Sequence, residues 1–250
     1  LRNALEMAER ANQAKSDFLS RMSHDIRTPM NAIMGMIAIA KESADDPRRV
    51  ADCLDKVQLS AQFLLSLIND ILDMSKIESG KMVLKKKPFD FAAFIGSITT
   101  MFYAEAEKRG IRFHVTASGD LREAYAGDEL KLNQVIINLL GNALKFTDAS
   151  GSVELSVRTG KLAETSQELI FTIKDTGTGM EKSFLHKLFQ PFEQDGHQRG
   201  NRGGSGLGLA IARNYARMMN GDIEVESEPG AGSTFTAHLW LDLASERPGA

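Results

Sequence analysis

The sequence predicts a chain of two parts, an all-α antiparallel helical hairpin followed by an α/β two-layer sandwich. Two observations predict this division. Residues 1–77 carry apolar residues at helical spacing with few helix breakers, whereas beyond residue 78 helix-like and strand-like stretches alternate. Gly80 marks the boundary, because glycine commonly follows the end of a helix.

The composition excludes several classes of protein. The 250 residues include 30 basic and 33 acidic side chains, 42% hydrophobic residues and one cysteine, Cys53. The hydrophobic content suffices for one or two buried cores, the balanced charge gives no broad basic surface for nucleic acid, and a lone cysteine excludes an internal disulfide. No apolar stretch approaches the roughly 20 residues of a membrane span. We therefore expect a cytoplasmic protein that does not bind nucleic acid.

Two heptad patterns predict the hairpin. Residues 1–22 space apolar side chains three and four apart, in a weak alanine-rich pattern typical of a coiled coil. After the turn at Asp45-Asp46-Pro47 a second seam follows, formed by Val50, Leu54, Val57, Ala61, Leu64, Ile68, Ile71 and Ser75. Because one hairpin leaves this apolar seam exposed, we expect a homodimer that forms a four-helix bundle. Cys53 adjoins the seam and is interpreted as a packing residue.

His24 lies away from the apolar stripe of its helix. At about 100° per residue, the stripe fits within roughly 80° of arc and His24 lies roughly 160° from its centre. The stripe consists of Leu19, Met22, Ile26, Met30, Ile33, Ile37 and Ala40. Asp25 and Thr28 lie beside His24, and Pro29 is expected to bend the helix because it cannot donate a backbone hydrogen bond. The pattern fits an accessible nucleophile as well as it fits a solvated helix face.

The second part is expected to contain helices at 90–109, 128–146 and 208–220 and strands at 111–117, 152–158, 168–174, 222–227 and 233–241. Polar residues line one face of the helix at 128–146, namely Gln134, Asn138, Asn142 and Lys145. Asparagine is a mediocre helix former, so this stripe favours a function. Amide oxygens are suitable ligands for a hard cation, and lysine is suitable for binding a phosphate. The alternative interpretation is a randomly polar surface without a ligand.

Three glycine-rich segments lie next to predicted strands. Asp175-Thr-Gly177-Thr-Gly179 follows a strand, and its carboxylate can accept a hydrogen bond from an exocyclic amine. Residues 203–209 precede an amphipathic helix, where backbone N–H groups can bind phosphate. Residues 230–235 lead into the final predicted strand. Each segment is weak evidence alone, but their order after the asparagine stripe is specific, and the Walker A and Rossmann patterns are absent.

These segments resemble the sensor histidine kinases of two-component signalling, over essentially the whole chain. The matching boxes are the H box Ser23–Pro29, the N box Asn138–Thr147, the G1 box Asp175–Gly179, the F box Phe189–Phe192, the G2 box Gly204–Gly208 and an adenine-pocket segment at Gly232–Phe235. The residues after Pro29 resemble those of hybrid kinases. Thr178 departs from the usual isoleucine, and Asp195–Arg202 gives a long glycine-rich lid. Phe189 and Phe192 are interpreted as core residues under that lid.

The resemblance implies a coiled-coil signalling linker at 1–22, a dimerisation and histidine phosphotransfer domain at 15–80 and a GHKL (Bergerat-type) ATP-binding domain at 85–245. It implies ATP and Mg²⁺ as cofactors, a homodimer, and a response-regulator receiver domain as partner. It also implies an upstream sensor module, such as PAS or HAMP. The chain would then be a cytoplasmic fragment of a longer parent, with membrane anchoring of that parent left open.

By the same resemblance, His24 accepts a phosphoryl group from ATP, Asp25 orients its ring, and Thr28 helps to dephosphorylate the regulator. The implied nucleotide-binding residues are Asn138, Asn142, Lys145, Asp175, Gly177, Gly179, Gly204, Gly206, Leu207, Gly208 and Thr234, with Asn142 and Asn138 also serving Mg²⁺. Two alternatives stay open. A GHKL ATPase clamp would carry glutamate at the position of Asn138, and a catalytically silent scaffold would bind ATP only to dock a partner.

Overall fold

The computed structural model describes residues 2–193 and 205–244, with the backbone alone for residues 2–19 and 21. The chain divides into two compact units, Leu1–Lys76 and Ile77–Ala250. Leu1, the lid segment at 195–202 and Gly204 lie outside the described residues. In the parts of the chain that are described, no helix is both long and apolar enough to cross a membrane.

The first unit is the predicted hairpin of two long helices. Helix α1 spans Arg2–Glu42 and α2 spans Pro47–Glu78. The helix α1 includes Pro29, so the proline does not end it. Asp46 begins α2, because its Oδ1 accepts hydrogen bonds from the N–H groups of Arg48 and Arg49 at 3.1 and 3.2 Å.

The predicted seam of α2 is mostly half-buried and lies between a buried stripe and a more exposed one, which shares Leu54 and Ile68 with the seam. One stripe is buried within the hairpin and includes Cys53, Leu67 and Met74, in agreement with the packing role expected for Cys53. The other, which we call the outer apolar stripe, consists of Leu54, Leu65, Ile68 and Leu72, whose side chains are 56%, 61%, 39% and 51% exposed. These four residues fall within about 60° of arc on the helix. The hairpin thus leaves four large apolar side chains exposed on one face of α2.

The second unit is a two-layer α/β sandwich, which confirms the predicted class. Its helices are α3 Phe91–Lys108, α4 Glu129–Phe146, the single turn α5 Lys182–Leu185 and α6 Gly208–Met218. Its strands are β1 Lys87–Asp90, β2 Arg112–Ser118, β3 Ala124–Gly127, β4 Ser152–Leu162, β5 Ser166–Asp175, β6 Asp222–Glu228 and β7 Gly232–Leu243. The short elements β1, β3 and α5 were not predicted from the sequence. The other elements match with ends shifted by a few residues.

The sheet has the strand order β1-β3-β7-β5-β4-β2, with β6 paired to β7. Every pairing is antiparallel except that of β2 with β4. Helices α3, α4 and α6 bury their apolar faces against the sheet, where the side chains of Leu132, Ile136, Leu139, Ile173 and Ile211 are all fully buried. This layer of helices holds α4 and α6 side by side, with α4 packed on β5 and α6 packed on β6 and β7.

Asp128 fixes the start of α4. Its Oδ1 accepts from the N–H of Lys131 at 3.1 Å, which caps the helix, and its Oδ2 accepts from the N–H of Lys85 at 2.8 Å. The carboxylate is largely buried. One side chain therefore both begins the helix that carries the asparagine stripe and holds the segment that enters the domain.

Candidate functional site

Asp175 lies at the end of β5 with its carboxylate largely buried. Its Oδ1 accepts from the N–H of Gly177 at 2.8 Å and from the N–H of Ser233 at 3.2 Å. Burial raises the pKa of Asp175 above its ordinary value, although these two hydrogen bonds act in the opposite direction. Among the described residues, Oδ2 has no hydrogen-bond partner, so it is the oxygen that remains for a ligand.

The loop after Asp175 requires both of its glycines. A Cβ at Gly177 would lie 2.5 Å from the carbonyl oxygen of Phe146, and Gly179 has φ +63° with no room for a side chain against the backbone of Glu228. The N–H of Thr178 donates to the carbonyl of Phe146 at 3.2 Å, while its side chain is exposed. The unusual threonine therefore leaves intact the backbone contact that seats this loop on the end of α4.

The asparagine stripe of α4 contacts the start of α6 through Asn138. Asn138 is half-buried, and its Nδ2 donates to the carbonyl oxygen of Gly208 at 2.9 Å. Because the amide nitrogen Nδ2 donates to that carbonyl, the amide oxygen Oδ1 is the atom available to coordinate a cation. Asn142 and Lys145 follow at helical spacing on the same half-buried face.

Lys145 carries a half-buried ammonium group close to an aromatic ring. Its Nζ lies 4.7 Å from the ring centroid of Phe146. Burial lowers the pKa of Lys145 below its ordinary value, because removing the ammonium from water disfavours its charged form. A phosphate placed beside this amine would restore the charged form, so the position suits an anion.

The segment before α6 is held against the F box. Gly206 has φ +69°, and its carbonyl accepts from the N–H of Phe192 at 2.9 Å. Phe192 is buried, as expected for a core residue, and also has a positive φ of 65°. Phe189 is half-buried beneath the guanidinium of Arg213, 4.5 Å from its ring centroid.

The side chain of Leu207 packs in the core, so it does not itself contact a nucleotide. It is fully buried, and its backbone N–H donates to Ser205 Oγ at 3.2 Å. Any part that Leu207 has in the site must therefore come from its backbone.

Thr234 requires a correction. In the register of β5 with β7, Asp175 pairs with Ser233 and Lys174 pairs with Thr234. Successive side chains of a strand point to opposite faces, so Thr234 lies on the face opposite Asp175. Ser233 is the residue on the correct face and the one whose N–H binds the carboxylate. Sequence reasoning missed it because the segment Gly232-Ser-Thr-Phe235 does not itself reveal its pairing register.

His24 belongs to the helical unit and is highly accessible. Its side chain is 80% exposed, and its Nδ1 lies 3.3 Å from Oδ1 of Asp25, which is 30% exposed. A carboxylate accepts hydrogen bonds, so this contact places the ring proton on Nδ1 and leaves the Nε2 lone pair open. The Thr28 hydroxyl donates to the carbonyl of His24 at 3.1 Å. The three predicted residues thus form one exposed cluster on α1.

The chain thus combines a helical hairpin that carries an exposed histidine with an α/β sandwich that carries Asp175, Asn138 and Lys145. Residues 14–80 match the model of the His Kinase A (phospho-acceptor) domain, and residues 127–243 match the model of the Histidine kinase-, DNA gyrase B-, and HSP90-like ATPase. Together the two matches cover most of the chain. The chain belongs to the histidine kinase family.

Similar proteins align with nearly all of this chain over part of their own, longer chains. The chain is 36% identical over 241 residues to the signal transduction histidine-protein kinase BarA of Escherichia coli (strain K12), covering 96% of this chain and 26% of that protein. It is 38% identical over 230 residues to the autoinducer 2 sensor kinase/phosphatase LuxQ of Vibrio vulnificus (strain CMCP6), covering 91% of this chain and 27% of that protein. The chain thus spans about a quarter of the length of these relatives.

Solved structures share the fold. Full-length ShkA in complex with AMPPNP matches with a TM-score of 0.67 and 27% identity, over 92% of this chain and 47% of that one. The histidine kinase ThkA in complex with the response regulator protein TrrA matches with a TM-score of 0.64 and 21% identity, over 98% of this chain and 67% of that one.

Proposed function

We propose that the chain transfers the γ-phosphoryl group of ATP to Nε2 of His24. The observation that carries this proposal is the exposed imidazole whose Nδ1 faces Asp25 at 3.3 Å, within a phospho-acceptor domain. The Nε2 lone pair attacks the γ-phosphorus, the bond from phosphorus to the bridging oxygen breaks, and ADP leaves with that electron pair. Nδ1 keeps its proton, and the carboxylate of Asp25 offsets the positive charge that develops on the ring.

The second unit binds the nucleotide in this proposal. Asp175 Oδ2 accepts from the exocyclic amine of adenine, and Gly177 and Gly179 let the loop backbone pass close to the base. Lys145 and the backbone N–H groups at Gly206 and Gly208 bind phosphate oxygens. Gly204, which the resemblance places with them, lies outside the described residues.

Mg²⁺ fits the donors present on α4. Asn138 presents its Oδ1 because Nδ2 is engaged by Gly208, and Asn142 lies one turn further on the same face. Neutral amide oxygens are suitable ligands for a cation that also takes phosphate oxygens and waters. When bound, the ion neutralises charge on the phosphates.

His24 then passes its phosphoryl group to an aspartate of a response-regulator receiver domain, the class of partner named in the ThkA complex. The chain also acts as a phosphatase toward that regulator. The Thr28 hydroxyl proton is engaged by the carbonyl of His24, so its oxygen remains to accept a hydrogen bond from an attacking water. The cytoplasmic location and the upstream sensor module stay predictions from the resemblance.

A homodimer completes the proposal. A second hairpin packed on the outer apolar stripe of α2, defined above, would bury it in a four-helix bundle. Leu72→Glu should raise the dimer dissociation constant at least ~100-fold, because each protomer would bury a charge. Sedimentation velocity measures this, and Gln62→Glu, at an exposed polar position of α2, should remain dimeric. A dimeric Leu72→Glu variant would place the interface elsewhere.

Incubation with γ-labelled ATP and Mg²⁺ tests the kinase activity. We expect an acid-labile, alkali-stable label on the wild type and on His114→Ala, whose histidine is exposed on β2. His24→Ala should carry no label. Label on this variant would contradict the assignment of His24 as the phosphorylated residue. Thr28→Ala should autophosphorylate normally but slow the loss of phosphate from a phosphorylated receiver domain.

An ATPase clamp is the weaker alternative. Asn138 occupies the position at which such a protein would need a general base, and an amide cannot take a proton from water. We therefore expect the wild type to release inorganic phosphate from ATP much more slowly than it labels His24.

A further inference from the structure

A row of three polar residues crosses three adjacent strands beside the base-binding carboxylate. Ser227 of β6 pairs with Ser233 of β7, which in turn pairs with Asp175 of β5. Paired residues of antiparallel strands present their side chains on the same face. Ser227 therefore stands two strands away from Asp175, on the same face of the sheet.

The hydroxyl of Ser227 uses all of its hydrogen-bonding capacity. Its Oγ accepts from the N–H of Met180 at 2.9 Å, donates to the carbonyl oxygen of Gly232 at 2.9 Å, and lies 2.9 Å from Ser233 Oγ. A hydroxyl has one proton and two lone pairs. Because the carbonyl can only accept, the Ser227 proton goes to Gly232, and Ser233 must be the donor in the contact between the two serines.

This assignment fixes the polarity of Ser233. Its hydroxyl proton is held by Ser227, and its backbone N–H is held by Oδ1 of Asp175 at 3.2 Å. Ser233 Oγ is then an acceptor only. Together with Asp175 Oδ2, it gives this part of the site two acceptors.

We infer that Ser227 is a positioning residue that sets base specificity, by holding Ser233 as an acceptor so that the site favours a 6-amino purine over a 6-oxo purine. The inference rests on the proposed role of Asp175 in binding the base. An exocyclic amine has two N–H donors to offer, to the carboxylate and to Ser233 Oγ directly or through a water. A 6-oxo purine keeps one donor on this edge, its N1–H, but its oxygen at position 6 is an acceptor, which meets these two oxygens with no proton between them.

Loss of the Ser227 hydroxyl has two separable effects. The Ser233 hydroxyl becomes free to rotate and to donate to a 6-oxo group, which changes the preference between nucleotides. The N–H of Met180 also loses its partner, which loosens the loop and weakens every nucleotide alike. Only the first effect changes the ratio of affinities.

The test compares ATP with inosine triphosphate, each titrated calorimetrically against the full 250-residue chain. In Ser227→Ala the preference for ATP should fall about tenfold, the effect of one neutral hydrogen bond. Ser227→Thr, which keeps the hydroxyl, should restore the preference. Ser156→Ala should leave it unchanged, because Ser156 is a half-buried serine on the opposite face of the same sheet.

The outcomes separate this inference from the proposed function. If wild type binds ATP in preference to inosine triphosphate but Ser227→Ala weakens both equally, Ser227 only supports the loop and the inference fails alone. If the wild type does not bind ATP, the proposed function fails and the inference with it.

Discussion

The side-chain amide of Asn138 donates to the carbonyl oxygen of Gly208 over 2.9 Å and so joins the middle of α4 to the first residue of α6. The contact sets the orientation of an amide whose oxygen we propose as a metal ligand. A backbone carbonyl of α6 thereby fixes which atom of the Asn138 amide is left for the proposed metal ion.

Asn138→Asp keeps the size of the side chain at this contact but replaces its hydrogen-bond donor with an acceptor. The carboxylate is nearly isosteric but directs an oxygen at the Gly208 carbonyl, which should lower the free energy of unfolding by about 1–3 kcal/mol. We expect autophosphorylation to fall at least ~100-fold as the Asn138–Gly208 contact is lost. Urea unfolding followed by fluorescence of Trp240, the single tryptophan, measures the first effect.

A matched control lies on α6, where Asn214 Nδ2 donates to the carbonyl of Ala210 at 2.8 Å. Asn214→Ala removes a comparable amide–carbonyl contact and should leave the labelling rate within about twofold. Equal losses in the two variants would mean that the Asn138 contact is merely structural.

Asp175→Asn should abolish the proposed adenine contact without breaking the loop. The amide keeps Oδ1 as the acceptor for Gly177 and Ser233 but replaces Oδ2 with a donor. ATP affinity should fall at least ~100-fold. Stability at neutral pH should stay the same or rise, because a buried charge is removed.

The raised pKa of Asp175 adds a pH dependence with a definite sign. The wild-type carboxylate protonates at a higher pH than an ordinary aspartate, so ATP affinity should begin to fall at a correspondingly higher pH as the solution is acidified. Calorimetric titration of Asp175→Asn over the same range supplies the baseline. Parallel profiles for the two proteins would remove Asp175 from the site.

Gly179→Ala should disrupt the loop that follows Asp175. The glycine has φ +63° and its missing side chain faces the backbone of Glu228, so alanine requires the loop to move. A cost of about 1–3 kcal/mol in unfolding free energy is expected, with loss of ATP binding. Gly96→Ala, in the open interior of α3, should instead stabilise by about 0.5–1 kcal/mol. Intact ATP binding by Gly179→Ala would show that the loop tolerates movement.

The ion pair of Asp222 should stabilise the domain only above strongly acidic pH. Arg213 donates to both carboxylate oxygens at 2.7 and 3.0 Å and lowers the pKa of Asp222 to about 2. Since the unfolded value is near 3.9, the contribution is complete above about pH 5 and is lost as pH falls toward 2. The pair is partly exposed, so we expect about 0.5–1 kcal/mol.

Unfolding of Asp222→Asn and wild type at pH 6 and pH 3 checks this, again through Trp240. The difference between the two proteins should shrink at the lower pH. Glu224→Gln, two residues along β6 at an exposed position, should show no such trend. A difference that grows on acidification would contradict the assigned pair.

The sequence predicted the long elements and the boxes well because both depend on local pattern. Helical periodicity located α3 and α4, and the order of glycine-rich segments pointed to Asp175 and Asn138. The four-residue strands β1 and β3 escaped prediction because they are too short for a periodic signal and depend on pairing with distant residues.

The remaining errors concern which face of a strand or helix is turned toward its packing partner. The resemblance pointed to Thr234, but one residue of register decides the face of a strand, and that register is set by pairing with β5 rather than by local sequence. On α2, apolar residues occupy two adjacent stripes, and the sequence does not reveal which of them packs against α1. Both cases need the long-range partner to be known.

The position of β7 has a consequence for how the protein is made. This strand comes after all the others in chain order, yet it lies between β3 and β5 and supplies the Ser233 N–H that holds Asp175. As the chain leaves the ribosome, the carboxylate therefore waits for a strand synthesised nearly 60 residues later, about 3–12 s at ordinary elongation rates. A nascent chain that stalls before Gly232 has α4 and α6 but lacks the Ser233 N–H that holds Asp175, so the proposed base site is incomplete until translation has passed β7.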